Sequence, residues 1–355
     1  MKICILGDTH FGARGDSIIF HSFFEKFYDK ILFPYLLENK INRIYQLGDL
    51  FDRRKFINYN SLYLCRKYFF DKLREHNIQF YTLLGNHDIS YKNTLEVNSS
   101  QLLLNEYDNV TVFDKPVTQE VDGVPIDIVP WICDDNEQEI ADFMKSTKSQ
   151  ICFGHFEVIG FQSQKGIVST TGVDKNIFSK YDKVLSGHFH LKSDDGQIYY
   201  VGTPYEMMWS DYGDAKGFHI FDTKTREMEF VENPYRAFYK IKYDDSQTDF
   251  EYWKNYDFED LKDCYVKIVV LNKQNPYLFD NVIDSLQRVG VADISIVEDF
   301  TETTLEDEDI IDQAEDTMTI LSKYIDNLTL DVESERLKRV MRELYVEAIN
   351  LERTE

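Results

Sequence analysis

Five times in this chain a short apolar run ends at or beside a glycine, and aspartate, asparagine or histidine follows at once. The runs are ICIL, RIYQL, YTLL, ICF and KVL. They lead into GDTH (Asp8, His10), GDLFD (Asp49, Asp52), GNHD (Asn86, His87, Asp88), GH (His155) and GHFH (His188, His190). Apolar runs this short, bounded by turn signals, read as buried strands. Open α/β sheets gather their ligands at the carboxyl ends of strands. The five polar groups are therefore expected along one sheet edge.

The segments between these motifs set the fold class. Strand-like KICILG (2–7), RIYQLG (43–48) and IQFYTLLG (78–85) alternate with helical stretches at 18–37 and 58–75. This βαβαβ order implies parallel strands covered by helices. Pro34 is expected to interrupt or end the first helix. From residue 110 short strands dominate: NVTVFD, PIDIVPW, QICFGH, DKVLSGH, QIYYVG, GFHIFD and EMEFVE. They predict a second sheet, mixed or antiparallel. The expectation for residues 1–235 is an α/β sandwich of two sheets flanked by helices.

A smaller α+β unit is expected over 236–298, from the strands YKIKYD, CYVKIVVLN and ADISIVE and a helix at 277–288. From Glu298 to Asp316 there are ten carboxylates and no Lys or Arg. Residues 299–316 thus read as a solvated acidic linker. In 317–355, Leu337, Val340, Met341, Leu344, Tyr345, Ala348 and Ile349 repeat at helical spacing. That stripe suits a helix packed on its own domain or one that binds a partner. Its place beyond a tether favours the partner. The helices at 18–37 and 56–75 carry more apolar residues than one core-facing stripe needs. Deep burial or a homodimer bundle would cover the excess, and the dimer is favoured.

Charge and cysteine usage narrow the setting. The net charge of −24 excludes a generic basic coat for nucleic acid. It divides unevenly, with 25 Lys+Arg against 34 Asp+Glu up to residue 235 and 14 against 29 beyond it. Five scattered cysteines make no disulfide or zinc-ribbon pattern, which fits a reducing cytoplasm. No apolar run approaches a membrane span. The N-terminal run meets Asp8 too early for a signal peptide.

A lone histidine at a strand end is more often a hydrogen-bonded core residue than a ligand. Here five of the eight histidines stand in these motifs. Four of them, His10, His155, His188 and His190, offer with Asp8, Asp49 and Asn86 oxygen and nitrogen donors without a thiolate. Such a set suits Mn²⁺, Fe²⁺ or Mg²⁺ better than structural zinc. Seven donors exceed what one ion takes beside substrate and water. They suit two ions sharing one carboxylate. His188 and His190, at i and i+2, face one way in an extended chain. The pair either chelates one ion or straddles two.

The series D-x-H, G-D-x-x-D, G-N-H-D, G-H, G-H-x-H resembles the signature of the calcineurin-like metallophosphoesterase superfamily, over about residues 1–235. The resemblance implies Asp8, His10, Asp49 and His190 on one metal ion. It implies Asp49, Asn86, His155 and His188 on a second, with Asp49 bridging. His87 would be the proton donor over the substrate and Asp52 the residue that orients it. Asp88 would brace the turn outside the ligand shell or serve structure alone. GDLFDRRKFINYNS, VPWIC, GHFEVIGF, VGTPYEMMW and GFHIFDT are similar to the nuclease subunit of SbcCD-type (Mre–Rad-type) DNA repair complexes, in the version of tailed phages.

That likeness implies a dinuclear metal-dependent DNA exonuclease and endonuclease of recombination and break repair. Its cofactors would be two divalent ions, Mn²⁺ first, with Mg²⁺ or Fe²⁺ as alternatives. Its partner would be an SbcC-type coiled-coil ATPase held by the C-terminal helices. Its place would be the cytoplasm of a bacterium or a phage-infected bacterium. Arg53, Arg54 and Lys55, with Arg14 second to them, are the expected DNA phosphate contacts. Two rival readings stand beside it. One is a small-molecule phosphodiesterase or phosphoprotein phosphatase, which the 120 residues beyond the core disfavour. The other is a non-catalytic scaffold, which the full donor set disfavours.

Overall fold

The structure is a computed structural model, and it describes residues 1–297. The expected linker at 299–316 and the helical segment at 317–355 lie outside the described residues. Two six-stranded sheets dominate. In the first, strands Lys2–Leu6, Arg43–Gln46, Gln79–Leu83 and Val110–Phe113 run parallel. The antiparallel hairpin Gly217–Asp222 and Met228–Glu232 extends it on the Lys2–Leu6 side. In the second, Ile198–Tyr200, Lys183–Gly187, Ile151–His155 and Val124–Val129 run parallel, and antiparallel strands close both edges. The division differs from the sequence expectation. Val110–Phe113, Gly217–Asp222 and Met228–Glu232 all join the first sheet, so the second has a parallel centre. Pairing across a sheet depends on which edge is open, and local pattern does not carry that.

Strand alternation distributes the core. Ile3 and Ile5 point between the sheets, where they meet Tyr45, Leu83, Ile126, Ile128, Phe153 and Leu185. Cys4 and Leu6 point the other way, onto the helices. Cys152 does the same on the second sheet.

The aromatic helices keep close to their expected spans and are more buried than a dimer bundle would require. The first runs from Ile18 to Glu38, with a π-turn over Tyr28–Leu32 in which Phe33 N–H bonds the Tyr28 carbonyl. The register slips directly ahead of Pro34, so the proline neither ends nor interrupts the helix. A second helix, Tyr59–Glu75, has its own π-turn over Arg66–Phe70. The widened turn lets three successive residues, Tyr68, Phe69 and Phe70, all be buried. Phe20, Phe24, Phe27, Tyr28, Leu32 and Phe33 complete that cluster. Most of the apolar excess is thus consumed within the chain's own core.

Residues 238–297 form a three-stranded parallel sheet, Phe238–Asp244, Tyr265–Asn272 and Asp293–Val297. Helix Pro276–Val289, capped by Asn275 and ended by Gly290, packs its Leu278, Phe279, Val282 and Leu286 into a separate cluster. Glu206 fastens this unit to the sandwich. It is 2% exposed, and its Oε2 accepts N–H bonds from Ala237 (2.7 Å) and Phe238 (3.1 Å). Burial pushes its carboxyl up to about 7, against the pull of those two N–H donors. A folded-state pKa above the unfolded value means the folded chain holds the proton more tightly. The resulting stability is fully present below about pH 4.5 and is lost as pH rises through 7. Scanning calorimetry from pH 5 to 8 should therefore show Tm falling more steeply with pH for wild type than for Glu206→Gln. Parallel profiles would refute this account of Glu206.

Candidate metal centre

All five motifs meet at the carboxyl ends of the two sheets. Asp8 and His10 follow the first strand, Asp49 the second, and Asn86 and His87 the third. His155 ends Ile151–His155, and His188 and His190 follow Lys183–Gly187. Glycine is required where these loops touch. A Cβ on Gly85 would sit 2.2 Å from Asp49 Oδ1, and one on Gly187 would sit 2.5 Å from Asp8 Oδ1.

The seven donors fall into two groups. Asp8, His10 and His190 form one; Asp49, His155 and His188 form the other. Asn86 Oδ1 lies 3.0 Å from both His155 Nε2 and His188 Nδ1, which puts it in the second. Asp49 Oδ2 is 3.3 Å from His155 Nε2 and 3.8 Å from His10 Nε2, so it faces both groups. His188 and His190 separate between the groups.

Several ring nitrogens of these residues converge closely. His10 Nε2 and His190 Nε2 stand 3.2 Å apart. His155 Nδ1 is 2.7 Å from the Leu47 carbonyl, which only accepts. Nδ1 is thereby committed as donor, and Nε2 is the atom left facing the cluster. His10 Nδ1 is buried without a hydrogen bond. Converging ring nitrogens of this kind fit cations placed between them.

The electrostatics agree. Burial, with the Asp49 charge adding to it, pushes the Asp8 carboxyl up to about 8. Asp49 is held well below the usual range, because His155 and His10 outweigh its burial. Burial drives His188 down to about 3 and His190 to about 4, and keeps His10 low as well. His155 is also deeply buried, yet the Asp49 and Asp8 charges raise it to about 9. Burial thus keeps three of the four imidazoles, His10, His188 and His190, neutral, the state in which imidazole ligates a divalent metal.

The remaining candidates take distinct places. The carboxylate of Asp88 accepts N–H bonds from Asp49, Leu50, Phe51 and Gly85 at 2.9–3.3 Å, and so ties the GDLFD loop to the GNHD loop. His87 packs edge-on to His10, with ring centroids 4.9 Å apart, and its N–H bonds Asp49 Oδ1 at 2.7 Å. The expectation that the Asp52 carboxylate orients His87 needs correction. His87 Nδ1 bonds the Asp52 backbone carbonyl at 2.6 Å, while Asp52 Oδ1 faces His10 Nδ1 at 3.6 Å. Asp52 N–H is bonded to the Phe11 carbonyl, and the loop leaves its C=O turned to His87. Arg53 pairs with Asp16 at 3.7 Å and lies over the Phe56 ring. Arg14 is exposed in a left-handed conformation (φ 55°), with its guanidinium 5.7 Å from the Tyr265 ring centre. His21, His76 and His219 lie elsewhere; His21 bonds Tyr68 and Ser61, and His219 bonds Tyr199.

Sequence reasoning missed the groups that hold the ligand loops. Lys216, 2% exposed, bonds Asp211 Oδ1 at 2.6 Å and the His190 carbonyl at 3.0 Å. Tyr205 donates to the carbonyl of Thr9, between Asp8 and His10, at 2.6 Å. Trp131 packs against the His155 and His188 rings. No motif spacing marks them, since they act on backbone carbonyls or ring faces.

The separation of the two histidines has a measurable consequence. Metal analysis after dialysis should find His190→Ala depleted in the ion held with Asp8 and His10, and His188→Ala depleted in the other. Each variant should keep about one ion per chain. Loss of both ions in either variant would contradict the split.

The calcineurin-like phosphoesterase family matches residues 1–205. "Exonuclease subunit 1" of Enterobacteria phage T4 is 32% identical over 355 residues, 98% of this chain and 99% of that protein. Among solved structures, an archaeal phosphodiesterase shares 15% identity over 66% of this chain and 100% of its own, with a TM-score of 0.34. A hypothetical protein from Thermus thermophilus shares 16% over the same fractions, with a TM-score of 0.35. Superpositions this loose carry no weight. The family match over more than half the chain and the near full-length identity to the phage protein do, and the chain belongs to the calcineurin-like phosphoesterase family.

Proposed function

We propose that this protein is a dinuclear metal-dependent DNA nuclease that processes DNA ends together with a partner ATPase of the SbcC type. The observation that carries the reading is the pair of donor groups sharing Asp49, with His87 beside them. The full-length likeness to a phage exonuclease subunit supports DNA as substrate and a second subunit as partner. Asp8, His10, Asp49 and His190 would hold one ion, and Asp49, Asn86, His155 and His188 the other. Mn²⁺ is the first choice, ahead of Mg²⁺ and Fe²⁺, because the donors mix nitrogen and oxygen. When bound, two such ions supply Lewis-acid activation of water and phosphate.

The chain's own residues supply the rest. His87 Nδ1 is committed to the Asp52 carbonyl, so Nε2 is the atom free to give a proton to the leaving 3′ oxygen. Arg53, Arg54, Lys55 and Arg14 would steer the phosphate backbone toward that edge. The unit at 236–298 would cap the substrate, and the C-terminal helices would hold the ATPase. A homodimer through the two aromatic helices is part of the proposal. Ile18, Leu37, Tyr59 and Tyr63 remain exposed on them, a smaller surface than the composition implied. None of the described helices is long and apolar enough to cross a membrane, and the cysteines fit the cytoplasm.

The test is cleavage of linear single- and double-stranded DNA with Mn²⁺ or Mg²⁺, with and without the ATPase, against hydrolysis of bis(p-nitrophenyl) phosphate. Hydrolysis of the small diester with no DNA cleavage under any condition would favour the small-molecule phosphodiesterase. Within that assay, His87→Ala should lower DNA cleavage about 10²–10⁴-fold while two ions stay bound. Asp52→Asn keeps the carbonyl that holds His87, and its loss should stay within about tenfold. Equal losses in the two variants would return the orienting role to the Asp52 carboxylate.

A further inference from the structure

The four residues after Asp52 line a cavity that the metal centre does not use. It has a volume of about 190 Å³ and is bounded by Arg53, Arg54, Phe56, Val97, Leu102 and their neighbours. Its position follows from the chain. Asp52 holds His87 through its carbonyl, Arg53 to Phe56 continue from there, and Ser90, three residues after His87, lines the opposite wall. Residues that follow His87 and its Asp52 anchor along the chain thus line the cavity.

Its lining combines cations with apolar surface. Phe56 is 61% exposed, Leu102 69% and Val97 40%. Three successive cations, Arg53, Arg54 and Lys55, stand at it. The Arg53 guanidinium lies 4.8 Å from the Phe56 ring centre, and its bridge to Asp16 holds it there. Neither Arg54 nor Lys55 has an ion-pair partner among the described residues. Flat aromatic and guanidinium surfaces beside free cations are what a nucleotide outside a duplex recognises, base on the platform and phosphate on the cations. Two polar side chains in the wall, Asn98 and Ser99, are already engaged. The Asn98 amide bonds Leu95, and its Oδ1 caps the helix at Gln101 N–H. The Ser99 hydroxyl bonds the Asp88 carbonyl. Little remains to read the edge of a base.

We propose that this cavity is a sequence-blind subsite for one unpaired nucleotide next to the scissile phosphate, with its base stacked against Phe56 and Leu102 and its phosphate on Arg54 and Lys55. The subsite rests on the nuclease reading above. It assigns the enzyme a preference for locally unpaired DNA at the cut.

The experiment is an abasic walk. Short single-stranded oligonucleotides carry one abasic residue at each position flanking the cleaved bond, and cleavage is measured below saturation with Mn²⁺ and full-length protein. In wild type, one position should slow cleavage roughly tenfold, the loss of one base–aromatic stack. Exchanging the four bases at that position should change the rate little. Phe56→Ala should be slowed by a similar factor on the intact strand and should show no added loss with the abasic one. Leu102→Ala, on a different element, should show the same coupling. If wild type cuts intact and abasic strands equally at every position, the subsite is wrong and the nuclease reading stands. The subsite is also wrong if the abasic penalty persists undiminished in both variants, since generally damaged proteins would behave that way. Wild type that leaves the intact strand uncut while hydrolysing bis(p-nitrophenyl) phosphate would overturn the nuclease reading and the subsite with it.

Discussion

Two carboxylates and four imidazoles share one water-poor pocket, in which His10 Nδ1 is left without a hydrogen bond. Burial first, and neighbouring charges after it, resists ionising Asp8 and protonating His10, His188 and His190, while the histidine neighbours of Asp49 hold it charged. The Nε2 atoms of His10 and His190 face each other across 3.2 Å. Such a pocket holds its shape at a cost unless positive charge is placed inside it. Much of the surrounding structure can be understood as keeping these groups where they would otherwise not stay.

That restraint comes from three directions. Asp88 gathers four backbone N–H groups and clamps two ligand loops. Lys216, buried with Asp211, grips the backbone at His190. Tyr205, stacked on Phe24 and bonded to Tyr28, reaches the carbonyl of Thr9. The last link explains the aromatic helices. Their rings fill the space behind the first sheet, and two π-turns rotate additional aromatic faces inward. The stiffness of that core is transmitted to the DTH loop through one hydroxyl.

Much of this was legible in the chain. Five strand ends carrying Asp, Asn and His announced a convergent site, because parallel strands with crossover helices put their carboxyl ends on one edge. The apolar run in KICIL correctly implied a buried strand, and the two-sheet sandwich followed from the element order. The membership of the sheets did not. Gly217–Asp222 pairs with Lys2–Leu6, more than two hundred residues away, and nothing local encodes that choice. Pro34 also misled, since the π-turn that accommodates it depends on rings supplied by another helix.

The sequence by itself determined the inventory of donors and the edge on which they gather, because residue type and strand period are local properties. Only the tertiary structure decided which atoms face which. It parted His188 from His190, brought Asp49 between the two groups, and gave the hold on His87 to the carbonyl of Asp52 rather than to its carboxylate. Those outcomes depend on loop directions within a few tenths of an ångström. Contacts between segments far apart in the chain set these directions, and so no motif, however complete, contains them.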